Sequence, residues 1–381
     1  MVELARIRIK GFRRLLDVDL ELRPLQMVIG VNGSGKTSLL DAVAVLAAAA
    51  RGQMARKLSE SGGITDVLTR DRATALELEA TATDTSSPPI TFALTIEQKG
   101  QGYWIKRESL SEDRGQQTPF KYIDSRDGQG RYFDVEEKNL VALKGVSYDP
   151  REPLLCAIPR MFPAAERFRS ALASTTFYGA LDVAPRSPIR MPQPLQAADL
   201  PGPRGEDLVS CLYGLRESEP DRFEVLQDSL RAGFPDFEKL AFPPAAAGVL
   251  SMTWKDRNFS KPLYMHQLSE GTLRFLWLAT LLQSHAIGAV TLLDEPEISF
   301  HPELQRLLVD LMREASKRTR IIVSTHSDRL VRFLKPEELL VIDTSEGIAR
   351  VTPADGLDIA DWLADYSLDE LWMAGRLGGR S

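Results

Sequence analysis

Four stretches of this chain carry residue types whose spacing could do chemistry. The first is Gly30-Val31-Asn32-Gly33-Ser34-Gly35-Lys36-Thr37-Ser38, in which a glycine is followed, after four residues, by Gly-Lys-Thr. It lies between an apolar run, Met27 to Ile29, and the helix-like Leu39 to Leu46. Strand, glycine loop, helix is the context in which such a stretch cradles the phosphates of a nucleotide. Glycines let consecutive main-chain N–H groups turn inward, and the helix that follows adds its positive end. Nucleotide contacts are therefore expected from Gly30, Asn32, Gly33, Ser34, Gly35, Lys36, Thr37 and Ser38. Lys36 would reach the β- and γ-phosphates, and the Thr37 hydroxyl would face Mg²⁺. The plain alternative is a Gly/Ser-rich turn between a strand and a helix. The complete motif with both flanks argues against it.

The second stretch, Val290-Thr291-Leu292-Leu293-Asp294-Glu295-Pro296-Glu297, is an apolar strand ending in acids. At the carboxyl end of a central strand, Asp294 would hold Mg²⁺ through water beside Thr37, and Glu295 would orient and polarise an attacking water. A solvated turn is the alternative for two adjacent acids, and the preceding phosphate loop weighs against it. The third stretch, Ser324-Thr325-His326-Ser327, directly follows the apolar Ile321 to Val323. One helix and one strand separate it from the acids, which returns His326 to the same sheet edge. It could there bond the γ-phosphate or fix the water. The fourth, Gln267-Leu268-Ser269-Glu270-Gly271-Thr272, opens a helix. Ser269 suits an N-cap, and a free helix N-terminus carrying Ser and Gly also suits an anion.

These groups need a scaffold. Residues 2 to 10 alternate apolar and charged side chains with a slip near Ala5, Gly11 breaks the run, and a second alternation covers 16 to 22. That is a hairpin leading through Pro24 to the strand before the loop. Strand patterns return at 75–82, 90–97 and 103–107, punctuated by Ser86-Ser87-Pro88-Pro89, and again at 131–135. Helical patterns occupy 164–173, 207–216 and 222–232, around a stretch in which Pro185, Pro188, Pro192, Pro194, Pro201 and Pro203 exclude regular interior structure. From residue 249 onward a strand (249–254) is followed by helix 270–283, strand 289–293, helix 302–315, strand 320–324, helix 328–333 and strand 339–342. This alternation indicates a parallel sheet covered by helices. No heptad pattern runs between the phosphate loop and residue 265, which excludes a long coiled-coil arm.

The totals limit the function classes. The 381 residues are 43% hydrophobic and 26% charged, as in an ordinary globular protein. A net charge of −6 means that a nucleic-acid surface would have to be local. Cys156 and Cys211 lack disulfide-framework or metal-site spacing. No apolar run approaches the ~18 residues that would span a bilayer, and the charged N-terminus lacks a secretion signal, so a cytoplasmic protein without membrane contact is expected.

In this order, the phosphate loop, Leu268-Ser269-Glu270-Gly271, Asp294-Glu295-Pro296 and Thr325-His326-Ser327 resemble the ABC-type ATPase head of transporters, SMC proteins, RecF and OLD-type proteins. Ile9-Lys10-Gly11-Phe12-Arg13 and the run Asp294 to Pro302 look closest to the RecF/SMC-like predicted ATPases of prokaryotes. The resemblance implies an α/β fold of the P-loop NTPase, ABC-ATPase type. Its mixed central sheet would carry helices, an antiparallel β lobe and an inserted, mainly helical or irregular lobe. It places ATPase lobes at 1–110 and 248–345, the insert at 111–247 and an acidic helical tail at 346–381, with Trp362, Leu363, Tyr366, Leu368, Leu371 and Trp372 packing on a neighbour. It further implies a head-to-tail homodimer that sandwiches ATP. Ser269, Glu270 and Gly271 of one subunit would face the nucleotide held by the other, with Glu295 as catalytic base, His326 as switch histidine and Ser299 to His301 crossing the seam. Arg13 matches a basic position that approaches the nucleotide, and Gln53 is the candidate for a glutamine coupling the metal to the insert. Glu270 and Thr272 depart from the transporter signature, and the chain ends too soon after His326 for an OLD-type nuclease domain. The implied activity is ATP hydrolysis as a switch on a separate effector protein, or on DNA, in defence or repair. The alternative is a nucleic-acid-binding structural module using Arg186, Arg190, Arg204, Lys255, Arg257 and Lys261, with turnover incidental.

Overall fold

The structure, a computed structural model, describes residues 2–85, 87–142, 149–157, 162–359 and 361–378. The punctuating Ser86 lies outside the described residues. The opening alternation forms the expected hairpin: Glu3–Phe12 pairs antiparallel with Leu15–Glu21, with Ile7 opposite Leu20 and Ile9 opposite Val18. The slip near Ala5 is a register shift between Leu4 and Arg6 against the neighbouring strand Ala75–Asp84, which keeps Leu4, Ile7 and Ile9 on the buried face. Beyond Ala75–Asp84 come Ser87–Lys99, Gly102–Glu112, Phe120–Arg126, Arg131–Asp134 and Asn139–Ala142, completing an eight-stranded antiparallel sheet. Strand Gly102–Glu112 runs through position 110, and its sheet continues into the segment that begins there.

The second sheet has six strands in the order Thr176–Tyr178, Val290–Asp294, Arg320–Ser324, Leu25–Ile29, Leu339–Ser345 and Ile348–Pro353. The first five are parallel neighbours and the last is antiparallel. Side-chain alternation divides its residues between two cores. Val28, Leu292, Ile322, Leu340 and Ile342 face helix Lys36–Arg51, which lies between the two sheets with Leu39, Leu40, Val43 and Leu46 buried there. Met27, Ile29, Leu293, Ile321, Val323 and Val341 face the opposite side. That side is covered by helices Leu208–Ser218, Pro220–Gly233, Glu270–Gln283 and Pro302–Ala315. Strands buried on both faces read as continuous apolar runs, which is why 289–293 and 320–324 show no alternation of polarity.

Several local readings change. The single strand expected at 249–254 is two short ones, Val249–Leu250 and Thr253–Asp256. The 51–71 segment contains helices Met54–Glu60 and Ile64–Val67. The tail begins with the sheet strand Ile348–Pro353 and reaches an α-helix only at Leu368–Met373. Leu368, Leu371 and Trp372 are buried, but Trp362 and Tyr366 are 41% and 49% exposed, since one short helix has one stripe to bury. Among the described residues no helix is long and apolar enough to cross a membrane.

Candidate functional site

Strand register assembles the site. Asp294 lies opposite Ser324, and Ser324 opposite Val28, so the acid strand, the histidine strand and the phosphate-loop strand end in one row. This is the carboxyl edge of a parallel sheet, where open α/β folds place their ligands.

The phosphate loop departs from that row at Gly30. A Cβ there would lie 2.3 Å from the Ile342 carbonyl oxygen and 2.8 Å from Ser34 Oγ, at a φ of +155°. Only glycine fits such an approach. Asn32 and Gly33 form the exposed tip, the Ser34 hydroxyl is buried without a protein hydrogen-bond partner, and Gly35 is the left-handed residue that opens helix Lys36–Arg51. Lys36 is buried on the first turn, its Nζ donating to the carbonyls of Gly30 (2.7 Å) and Val31 (3.0 Å). Burial draws its ammonium down to about 8, against the opposing pull of the Glu295 and Asp294 carboxylates. An anion in the loop would restore that charge. Ser38 is half-buried one position beyond Thr37.

The Thr37 hydroxyl donates to Asp294 Oδ1 at 3.5 Å, and Ser324 Oγ bonds the same oxygen. Adjacent ligands of an octahedral Mg²⁺, each at ~2.1 Å, lie ~3 Å apart. The Thr37 and Asp294 oxygens therefore fit two positions of such an ion. Among the described residues no group of three or more His, Cys, Asp and Glu converges to hold a metal. One hydroxyl and one carboxylate is instead the donor set of a cation that is shared with phosphates.

Glu295 sits beside this pair in a left-handed conformation (φ +49°), its N–H donating to the Ser324 carbonyl at 2.9 Å. The sheet ladder thus runs one residue past the strand before the chain turns. His326 Nε2 is 3.3 Å from Glu295 Oε1. Burial first, and Lys36 next, hold the imidazole below its usual range although Glu295 and Asp294 act the other way. It is neutral at neutral pH, with one ring N–H to donate to the carboxylate.

Behind them lies a group to which the sequence reading gave no role. Glu297 is 7% exposed, accepts from the Thr325 hydroxyl, faces the His326 main-chain N–H, and leaves Oε2 without a partner. Burial pushes its carboxyl up. A second bridge runs alongside: Ser327 Oγ donates to Gln305 Oε1 at 3.0 Å, and Gln305 Nε2 donates to the Phe300 carbonyl at 3.3 Å. The segment 297–301 and the turn carrying His326 are therefore tied together at two points. The only sequence signal was that polar residues follow an acid strand.

Ser269 caps helix Glu270–Gln283, its Oγ accepting from Thr272 N at 3.1 Å. Ser269 and Glu270 are exposed, and among the described residues neither bonds to the phosphate loop of its own chain. A Cβ on Gly271 would come 2.9 Å from the Ser299 carbonyl oxygen, so the helix start rests against the 297–301 segment. Arg190 steadies the approach to this helix, its guanidinium donating to the carbonyls of Val183 (2.7 Å), Leu268 (2.9 Å) and His266 (3.3 Å).

One expectation is corrected. Gln53 follows the far end of helix Lys36–Arg51, whose 16 residues span ~24 Å, so it stands remote from the metal pair. Arg13 pairs with Asp41 at 2.7 Å, and the neighbouring Arg14 guanidinium donates to the Gly347 carbonyl at 3.5 Å. Of the cations offered as a nucleic-acid face, Arg190 is held as above, Arg257 stands 3.7 Å from Asp236 with both side chains exposed, and Lys255 donates to the Phe259 carbonyl.

Comparison with solved structures agrees with this geometry. The fold is similar to an SMC head bound to the C-terminal winged-helix domain of ScpA (15% identity, TM-score 0.58, covering 92% of this chain and 97% of that one). It is also similar to the SMC head of Pyrococcus furiosus with an extended coiled coil, bound to the C-terminal domain of ScpA (12%, 0.54, 99% of both chains). The SMC head domain of Thermotoga maritima is a third (14%, 0.50, 92% and 98%). A 40-residue stretch is 50% identical to an OLD nuclease of Thermus scotoductus, spanning 10% of this chain and 8% of that protein. An ATPase head of the ABC, SMC and OLD kind is thus the fold in which these motifs sit. Over residues 26–332 the chain matches, and belongs to, the family described as "AAA domain, putative AbiEii toxin, Type IV TA system".

Proposed function

We propose that this protein binds ATP with Mg²⁺ and hydrolyses it within a dimer of two chains, and that the dimer is a switch acting on a separate effector protein or on DNA. One observation carries the reading. The phosphate loop, Thr37, Asp294, Glu295 and His326 meet at one sheet edge, while Ser269 and Glu270 are exposed and bond to no part of their own loop. The half-site with the catalytic groups and the half-site with the helix N-terminus would then complete each other across two chains.

In this reading the loop N–H groups and Lys36 hold the phosphates. A magnesium ion at Thr37 and Asp294 would neutralise charge building on the phosphates. Glu295 orients a water and accepts its proton as the water oxygen attacks the γ-phosphorus. Neutral His326 donates to Glu295 and keeps the carboxylate aimed. Ser269 of the second chain, with the positive end of its helix, covers the γ-phosphate. A role in prokaryotic defence or DNA repair, in the cytoplasm, fits the family's description and the short likeness to an OLD nuclease. A bound partner protein has its counterpart in the SMC heads solved with ScpA domains.

The test is Glu295→Gln, which keeps the shape and a polar oxygen beside His326 but removes the base. With ATP and Mg²⁺ this variant should run as a stable dimer in size-exclusion chromatography with light scattering, its turnover lowered by ~10²–10⁴. A monomer at saturating ATP would overturn the sandwich.

A further inference from the structure

At the opposite, amino edge of the parallel sheet lies a cavity of about 460 Å³ that the nucleotide reading does not use. Its walls are the loops that enter the acid strand and the histidine strand, the start of the first strand, and parts of helices Pro163–Ala173 and Pro220–Gly233. Arg167, Arg222, Lys317, Arg318 and Arg320 line it together with His285, and among the described residues Glu3 is the one carboxylate on its wall. Such a gathering of cations is unexpected on a chain whose net charge is −6.

Most of the carboxylates that pair with these side chains stand outside the cavity, and Glu219, 2.8 Å from His285, serves two of them. Arg320 pairs with Glu3, Arg222 with Glu219 at 3.0 Å, Lys317 with Glu314 at 2.5 Å, and Arg167 stands 3.5 Å from Asp84. Of these carboxylates only Glu3 faces the cavity. Arg318 donates to two carbonyls at the end of the signature helix, Leu282 (2.6 Å) and Ser284 (2.5 Å), so carbonyl oxygens are the partners its charge has. Burial first, and Arg222 next, disfavour the Arg318 charge, and Arg320 keeps a buried Nε without a partner. Guanidinium groups around a concave space are the donors that recognise phosphate oxygens in pairs.

We propose that this cavity binds a small molecule bearing more than one phosphate. Its volume lies in the range of small-ligand sites and exceeds what one phosphate fills. Among the described residues no Phe, Tyr or Trp lines it to stack a base, so recognition rests on the phosphates. The cavity shares its walls with the strands that end in Asp294 and Ser324, five residues or ~17 Å away, which makes it a separate site on the same rigid elements.

The experiment is isothermal titration calorimetry of the full chain carrying Lys36→Ala, which disables the phosphate loop, with inorganic pyrophosphate and, in a second arm, ADP. One site is expected at 50 mM salt, weakening at least tenfold at 500 mM, and the unmodified chain should show it as a Lys36-independent event. Arg222→Gln with Lys317→Gln, both partly exposed and away from the fold's core, should weaken pyrophosphate at least tenfold with an unchanged melting temperature. Arg318→Gln should do the same or more. ADP binding as tightly as pyrophosphate would assign the site to free polyphosphate chemistry, and ADP binding at least tenfold tighter to a phosphorylated metabolite. No saturable binding below 1 mM at 50 mM salt, or equal affinity in the folded double variant, would overturn the proposal.

Discussion

Ser269 has two separable duties, and two substitutions part them. Its Oγ caps helix Glu270–Gln283 by accepting from Thr272 N, and in the proposed dimer it covers the partner's γ-phosphate. Ser269→Ala removes both. Losing an N-cap costs about 1 kcal/mol, a shift of roughly 1–3 °C in melting temperature for a chain of this size. Ser269→Asp is as good a cap, and its charge favours the helix N-terminus, so stability should match or slightly exceed that of the parent. Across the dimer, however, the new carboxylate would meet a γ-phosphate. Two like charges ~4 Å apart repel by about 4 kcal/mol at an effective dielectric constant of 20, which is about a thousandfold in dimer affinity. Thermal unfolding without nucleotide, and mass photometry with ATP in the Glu295→Gln background, read the two duties independently. The expected order is Ala below Asp in stability, and Asp below Ala in dimerisation. An Asp variant that dimerises with ATP as the parent does would refute the trans contact, and one that melts below Ala would refute the cap.

Other consequences follow from the same geometry. Gln53→Ala should leave ATP turnover within twofold of the parent in a steady-state phosphate-release assay, because the residue lies ~24 Å along the helix from Thr37. Thr325→Val and Glu297→Leu should each lower turnover roughly tenfold with little change in ATP affinity, and the double variant should be no worse than the poorer single, since each removes the same hydrogen bond beside His326. Glu108, buried and accepting from Leu154 N and Leu155 N at 2.8 Å each, has its carboxyl raised from 4.5 to about 7 by burial. A raised carboxyl binds its proton more tightly folded than unfolded, so its contribution favours the fold at low pH and is lost as pH rises from 4.5 to about 7. Urea unfolding at pH 5 and pH 8 should therefore show the stability of Glu108→Gln rising relative to the parent by roughly 2–3 kcal/mol between the two, and a constant gap would contradict it.

Much of the site was legible because its causes are local. The glycine loop, the apolar strand before it and the helix after it are written in neighbouring residues, and so is the capping of Glu270–Gln283 by Ser269, where a side chain meets an N–H three residues on. Apolar runs such as Ile321 to Val323 announced buried parallel strands because both faces of the central sheet are covered. Tertiary structure alone decided which strand ends share a row. The pairing of Asp294 with Ser324 joins strands 30 residues apart, and that of Ser324 with Val28 joins strands 296 residues apart, through main-chain hydrogen bonds that carry no side-chain signature. The edge strand Thr176–Tyr178 is three residues long and exists only because Val290–Asp294 offers it partners. Arg190 read as a surface cation and proved to be a clamp on three carbonyls, while Gly271 read as part of an anion site and is also the gap through which Ser299 passes. Sequence by itself determined which groups this protein has for phosphate chemistry. Folding determined that the catalytic ones share an edge while Ser269 is exposed and unattached to its own phosphate loop, because register and packing are properties of the whole chain.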